Sequence, residues 1–411
     1  MTMTEKNAGV AGRNGVVIQA HHSTGSGFRT YEVHQRERVG ESTEKIKPQQ
    51  LLSDEHRRDP YPLFEILREH YPFYRNWTSN SYWVTRYNDV TSIFVDEGNF
   101  ESRSNAWRYG LEDLGQNIGQ QLDFLNREAS VFDNGLAERV HELAAGFTRG
   151  DLVTDIIGPL VMQLTGELFE VAEDDQQRFA SLIWQAKRGS GWDPDLQVQG
   201  RQAIESLRTL LASDDLVATL LEYDFETLFG GLANLWFMLL TNREAYEQAT
   251  SDPRLMKLAW LETLRHLTPT LYAERFARHE VERFGKLIPK GALLVCAAGA
   301  ANRDPRVFSD PDSFIVDRRD LAQREPRGQY RADGLASGIA FGLGGPSRHP
   351  AVPEDRPRSR YALIRDTAVT ISMALIESLE KIDLAAGSQP VLTSLKAGEI
   401  HTCWSLPVTT G

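Results

Sequence analysis

Glu262-Thr263-Leu264-Arg265 is the stretch on which the reading of this 411-residue chain turns. In a helical run, a glutamate and an arginine three residues apart stand on one face, where a carboxylate and a guanidinium pair. The spacing is common in helices and gains meaning from what flanks it. Downstream come Arg275, then Asn302-Arg303-Asp304-Pro305, then Asp310-Pro311-Asp312-Ser313-Phe314-Ile315-Val316-Asp317-Arg318, whose last residue is a candidate to offer Glu262 a second guanidinium and complete a buried charged network. Upstream, Asp59-Pro60-Tyr61-Pro62 opens a helical run with Leu63, Ile66 and Leu67 on one face. Tyr82-Trp83-Val84-Thr85-Arg86-Tyr87 then reads as a strand, followed by a short helix over residues 89–94.

Farther out, residues 104–134 are polar and weakly periodic. Helical spacing through Val140, Leu143, Ile156, Leu160, Leu164 and Leu168 predicts several helices over 136–184. Long helices continue to residue 265, broken by a turn-rich gap at 189–194. A short strand over 292–297 and a last helix over 361–379 complete a mainly α chain with a small β region. Residues 51–411 read as a single domain. Residues 1–50, rich in Gly, Ser, Thr, Lys, Glu and Gln, read as a mobile extension, with 27–33 the one strand-like stretch.

Net charge is −12, from 45 basic and 57 acidic residues, which argues against nucleic acid as a partner. No run approaches the roughly 18 apolar residues of a membrane span, and the first residues carry no apolar leader. Cys296 and Cys403 are the only cysteines, too few for a disulfide framework and without zinc spacing. A soluble protein of the reducing cytoplasm is the expectation.

In order and identity the quoted segments resemble landmarks of bacterial cytochrome P450 proteins over roughly residues 50–411. The resemblance implies a cytochrome P450-like fold in which Glu262, Arg265 and Arg318 are structural. It also implies that Arg275 stands where the family places an arginine for a haem propionate.

The resemblance breaks at the haem. The family's ligand segment runs Phe-Gly-x-Gly-x-His/Arg-x-Cys-x-Gly, whereas this chain has Phe341-Gly342-Leu343-Gly344-Gly345-Pro346-Ser347-Arg348-His349-Pro350. Arg348 stands at the cysteine position. Counted back from Leu363-Ile364-Arg365, the position falls on Arg358. A guanidinium stays protonated and has no lone pair to give a metal, so His349 is the one substitute ligand nearby. On the central helix, Tyr223-Asp224-Phe225-Glu226-Thr227 aligns with small-small-x-acid-Thr: the acid and threonine survive, and two larger residues replace the small pair that lets a haem lie close. Ahead of Phe147-Thr148, the family's His and Arg are replaced by Leu136 and Val140, with Arg139 and His141 beside them on other sides of the helix.

These departures imply a haem-free member with no cofactor, haem being the alternative, and make conventional monooxygenase chemistry unexpected. Two functional classes follow. One is an auxiliary protein that activates a biosynthetic enzyme such as a glycosyltransferase in a natural-product pathway. Its partner would dock on the Arg/Pro loop 346–360, which carries Arg348, Arg356, Arg358 and Arg360 among Pro346, Pro350, Pro353 and Pro357. The other is an enzyme that reuses the old pocket for a small molecule, through Tyr223, Asp224, Glu226 and Thr227 or through haem held by His349.

Overall fold

A computed structural model describes residues 18–20, 31–33, 46–47, 50–51, 53–77, 79–94, 96–103, 118–189, 194–321, 331–332, 346–347, 360–395 and 400–411. Helices dominate, with a small sheet to one side, as the sequence pattern predicts.

The centre is the helix Glu226–Thr241, buried on every side from Glu226 to Trp236. Leu228, Phe229, Leu232, Ala233, Leu235 and Trp236 leave it no polar face, which is the pattern of a helix wrapped by others. Close approach is made possible at Gly231, where a Cβ would lie 2.4 Å from the ring of Trp260 on the helix Pro253–His266. Near its middle a polar residue ties this helix to its surroundings. Asn234 donates to the carbonyls of Leu267 (2.9 Å) and His401 (3.0 Å), and accepts from the backbone N–H of Cys403 at 2.9 Å. The last long helix, Arg360–Leu379, packs on Leu136–Ala144 and on Pro253–His266.

The larger sheet has five strands, in the order Phe73–Asn76, Ser81–Val84, Leu293–Ala297, Tyr272–Ala277 and Phe100–Glu101. Only the second and third are parallel. The strand expected at 82–87 is shorter, because helix Tyr87–Phe94 starts where Asp304 accepts from the Tyr87 backbone N–H at 3.1 Å.

Three expectations change. Residues 104–134 contain the helix Ile118–Asp133, whose Phe124, Glu128 and Phe132 reach the core although Gln and Asn dilute its pattern. The extension is not loose outside the strand-like stretch at 27–33, since Ile18–Ala20 forms a strand that pairs antiparallel with Tyr31–Val33. The central helix does not run through 223–227: Asp214–Glu222 ends at an extended Tyr223, and a new helix begins at Glu226.

Candidate functional site

The break at residues 223–225 gathers the four expected pocket residues, and each is engaged by its neighbours. Asp224 caps the new helix, accepting from the Thr227 backbone N–H (2.9 Å) and the Thr227 hydroxyl (2.6 Å). This is the Asx alternative to helical hydrogen bonding, so the aspartate that replaces a small residue also interrupts the helix. Tyr223 turns its ring between Phe124 and Phe169, with centroids at 5.6 and 5.8 Å, and donates its hydroxyl to Glu128 at 2.8 Å. Its bulk therefore fills the seam between helices Ile118–Asp133 and Gly158–Leu168.

Glu226 is held by a residue that sequence reasoning missed. Lys187, in the last turn of the helix Gln176–Arg188, places Nζ 2.8 Å from Glu226 Oε1 and donates to the carbonyls of Leu221 (3.1 Å) and Tyr223 (3.2 Å). Burial pushes the Glu226 carboxyl above its usual range. Lys187 opposes that shift, and Asp224 adds to it. A lysine closing its own helix is so ordinary that no local signal marked Lys187 as the partner of Glu226.

The three expected structural residues meet. Arg265 donates Nε to Glu262 Oε2 and Nη2 to Oε1, both at 2.7 Å, and Arg318 Nε donates to Oε1 at 3.0 Å. Arg275 is buried on the strand Tyr272–Ala277, with its guanidinium 4.8 Å from the ring centre of Phe94 and a bond to the Glu274 carbonyl. Leu136 and Val140 are core residues. Arg139 pairs with Glu167 at 2.5 Å and His141 Nδ1 meets Ser378 Oγ at 2.7 Å, so both neighbours are committed elsewhere. His349 and most of the Arg/Pro loop lie outside the described residues. A cleft of about 220 Å³ opens between Phe132–Glu138 and the last helix at Asp366, Thr367 and Thr370. It lies below the usual range for a small-molecule pocket, roughly 300–1,000 Å³. Among the described residues no group of three or more His, Cys, Asp or Glu is arranged to hold a metal ion.

A cytochrome P450 family model matches residues 242–332. Pulcherriminic acid synthase of Bacillus subtilis is 26% identical over 359 residues, covering 74% of this chain and 86% of that protein. The biotin biosynthesis cytochrome P450 of the same species is 23% identical over 327 residues, covering 65% and 82%. Among solved structures, CYP109E1 from Bacillus megaterium in complex with testosterone superposes with a TM-score of 0.65 at 18% identity, covering 86% of this chain and 99% of that one.

These relatives correct one expectation. P450 relatives and structures are haem-binding enzymes, which points to haem as the cofactor of this fold, in place of none. The residues of this chain nonetheless do not fit haem held by thiolate. Cys296 is buried in the strand Leu293–Ala297 and Cys403 in the strand His401–Ser405, and burial pushes each thiol up to about 12. Cys403 donates its Sγ hydrogen to the Ser405 carbonyl at 3.2 Å. Both are protonated at neutral pH, and the sequence has no third cysteine.

Proposed function

This chain is a member of the cytochrome P450 superfamily, and from that premise we propose that it serves small-molecule biosynthesis as an auxiliary protein and not as an oxygen-cleaving monooxygenase. The observation that carries the reading is the placement of the two cysteines, both buried and built into strands. In this superfamily a thiolate pushes electron density onto haem iron and favours O–O cleavage. A chain that offers none keeps the scaffold without that chemistry. Two relatives are named for biosynthetic steps, pulcherriminic acid and biotin, which supports the setting. The Arg/Pro loop 346–360 supplies a partner surface, since arginine is favoured at contacts with anionic groups.

The test has two arms. Protein expressed with haem supplementation is assayed for haem by pyridine haemochrome, and its ferrous carbon monoxide complex is recorded; no thiolate-type Soret band is expected. The chain is then added to the glycosyltransferase or other enzyme encoded beside it, whose turnover should rise at least about tenfold. In the same assay Arg356→Glu/Arg358→Glu should cancel most of the rise. A thiolate-type band, or substrate hydroxylation by this chain alone, would sink the proposal.

A second reading is favoured by the raised pKa of Glu226 in its buried setting. Here the helix break at residues 223–225 is an elbow that positions the acid of an enzyme reusing the old pocket, with Glu226 moving a proton and Tyr223 and Asp224 fixing its surroundings. Any turnover of a small molecule by the isolated chain should then fall at least about a hundredfold in Glu226→Gln.

A further inference from the structure

We infer that Lys187 is a positioning residue for Glu226, one ammonium group that holds both ends of the helix break and fixes the carboxylate between them. As a statement about function it rests on the reading of Glu226 as a pocket acid. The geometry behind it is independent of that reading.

The Lys187 ammonium reaches oxygens on both sides of the break: Glu226 Oε1 at 2.8 Å and the carbonyls of Leu221 and Tyr223 at 3.1 and 3.2 Å. The two carbonyls belong to the end of the helix Asp214–Glu222, the pole that attracts a cation. Glu226 is the first residue of the next helix, the pole that attracts an anion. One side chain therefore satisfies two helix ends that meet in opposite polarity. The side chains of Lys187 and Glu226 are only 12% and 10% exposed, so neither is replaced by water at low cost.

The same helix grips the elbow at a second point. Trp184, one turn before Lys187, lies edge-on to Phe225 at 5.0 Å, to Phe229 at 5.2 Å and to Trp404 at 5.4 Å. Phe225 and Phe229 bracket Glu226 along the chain, so any shift of Lys187 is also a shift of the aromatic wall beside the carboxylate. The charged groups that act on Glu226 are Lys187 from that helix and Asp224 from the elbow. Glu128, on the neighbouring helix Ile118–Asp133, accepts the hydroxyl of Tyr223.

The bland alternative is a lysine that merely closes its own helix, and pH separates the two. Burial and Asp224 raise the pKa of Glu226, and Lys187 opposes them. Without Lys187 the carboxyl keeps its proton to higher pH in the folded state than in the unfolded one. The penalty is then absent at low pH and complete above the folded pKa.

The experiment is urea unfolding of the full chain at pH 5.5 and pH 8 for wild type, Lys187→Met, Glu226→Gln and the double variant. Lys187→Met is expected to lower the folding constant at least about tenfold more at pH 8 than at pH 5.5. The double variant should recover most of the pH 8 loss. If Lys187→Met does not fold, Glu226→Gln alone carries the test and should flatten the pH dependence of stability relative to wild type. Equal losses at both pH values with no recovery in the double variant, or a Glu226→Gln profile parallel to wild type, would overturn the inference. If the stability pattern holds while Glu226→Gln leaves turnover intact, only the pocket-acid reading fails.

Discussion

Glu262 accepts four hydrogen bonds: two from Arg265, one from Arg318 and one from the Ile315 backbone N–H at 3.1 Å. Arg265 spends its remaining hydrogens on the carbonyls of Asn302, Pro311 and Ser313, at 2.9, 2.8 and 3.1 Å. Glu262 and Arg265 are fully buried, so the pair is not valuable merely because it is ionic. Its weight lies in leaving no charge uncompensated and in tying a helix to a loop that has little regular structure of its own. Glu262→Ala should therefore cost about 3–5 kcal/mol in urea unfolding. Arg208→Ala, which breaks a pair whose glutamate is 67% exposed, should cost less than about 1 kcal/mol. A loss at Glu262 no larger than that at Arg208 would defeat this account. The network was legible in the sequence because Glu262 and Arg265 are one turn apart and Arg318 ends a recognisable segment. Lys187 gave no such sign, although its ion pair is nearly as buried.

The break between Asp214–Glu222 and Glu226–Thr241 shows where element-level reading succeeds and where it stops. Asp224 caps the second helix through Thr227, and Asp224→Ala should lower stability by about 0.5–2 kcal/mol. Asp224→Asn, which keeps a cap acceptor, should recover most of that loss; if both variants lose equally, the cap is not what Asp224 supplies. Strands Ser81–Val84 and Leu293–Ala297 and helix Arg360–Leu379 were legible because β-branched runs and helical spacing are local signals. The break was not, because Asp224 carries only part of it through its cap on Thr227, and the other contacts that hold it come from afar. Tyr223 bonds to Glu128, 95 positions away, and Lys187 arrives from a separate helix. Helix Ile118–Asp133 escaped for the same reason, its place being fixed by contacts of Phe124, Glu128 and Phe132 that periodicity does not record. The surviving acid and threonine of the motif were likewise visible, while their partners were not.

At the scale of the molecule, three buried histidines join the N-terminal helices to the rest of the fold and set its response to acid. His56 Nε2 lies 3.0 Å from the Tyr272 hydroxyl, fastening helix Asp54–Arg58 to the larger sheet. His401 Nδ1 meets Ser394 Oγ at 2.9 Å, and its ring stands edge-on to Tyr61. His266 Nε2 lies 3.3 Å from Arg303 Nη2, whose guanidinium covers the Tyr61 ring. Burial pushes His56 down to about 4. Burial, reinforced by Arg303 and His56, pushes His401 down to about 3. His266 is held well below its usual value by burial and then by Arg303 and Arg265. Each is neutral when folded and takes a proton near pH 6.5 when unfolded. Stability is therefore complete above that pH and drains away as pH falls through about 4. Glu69 and Asp320 act in the same direction. An arginine hydrogen bond holds Glu69 below its usual range, and Ser309 together with Arg318 overcomes burial at Asp320. Unfolding free energy measured by urea at pH 7, 6, 5 and 4.5 should fall with a slope of about one proton for each of these histidines. His56→Gln/His401→Gln should lower stability at pH 7 yet reduce the slope by about two protons, and hydrogen exchange should show helices Asp54–Arg58 and Tyr61–His70 opening first in the wild type as pH drops. A double variant with the wild-type slope would mean that the acid response resides elsewhere, because neither histidine would then be taking up a proton on unfolding.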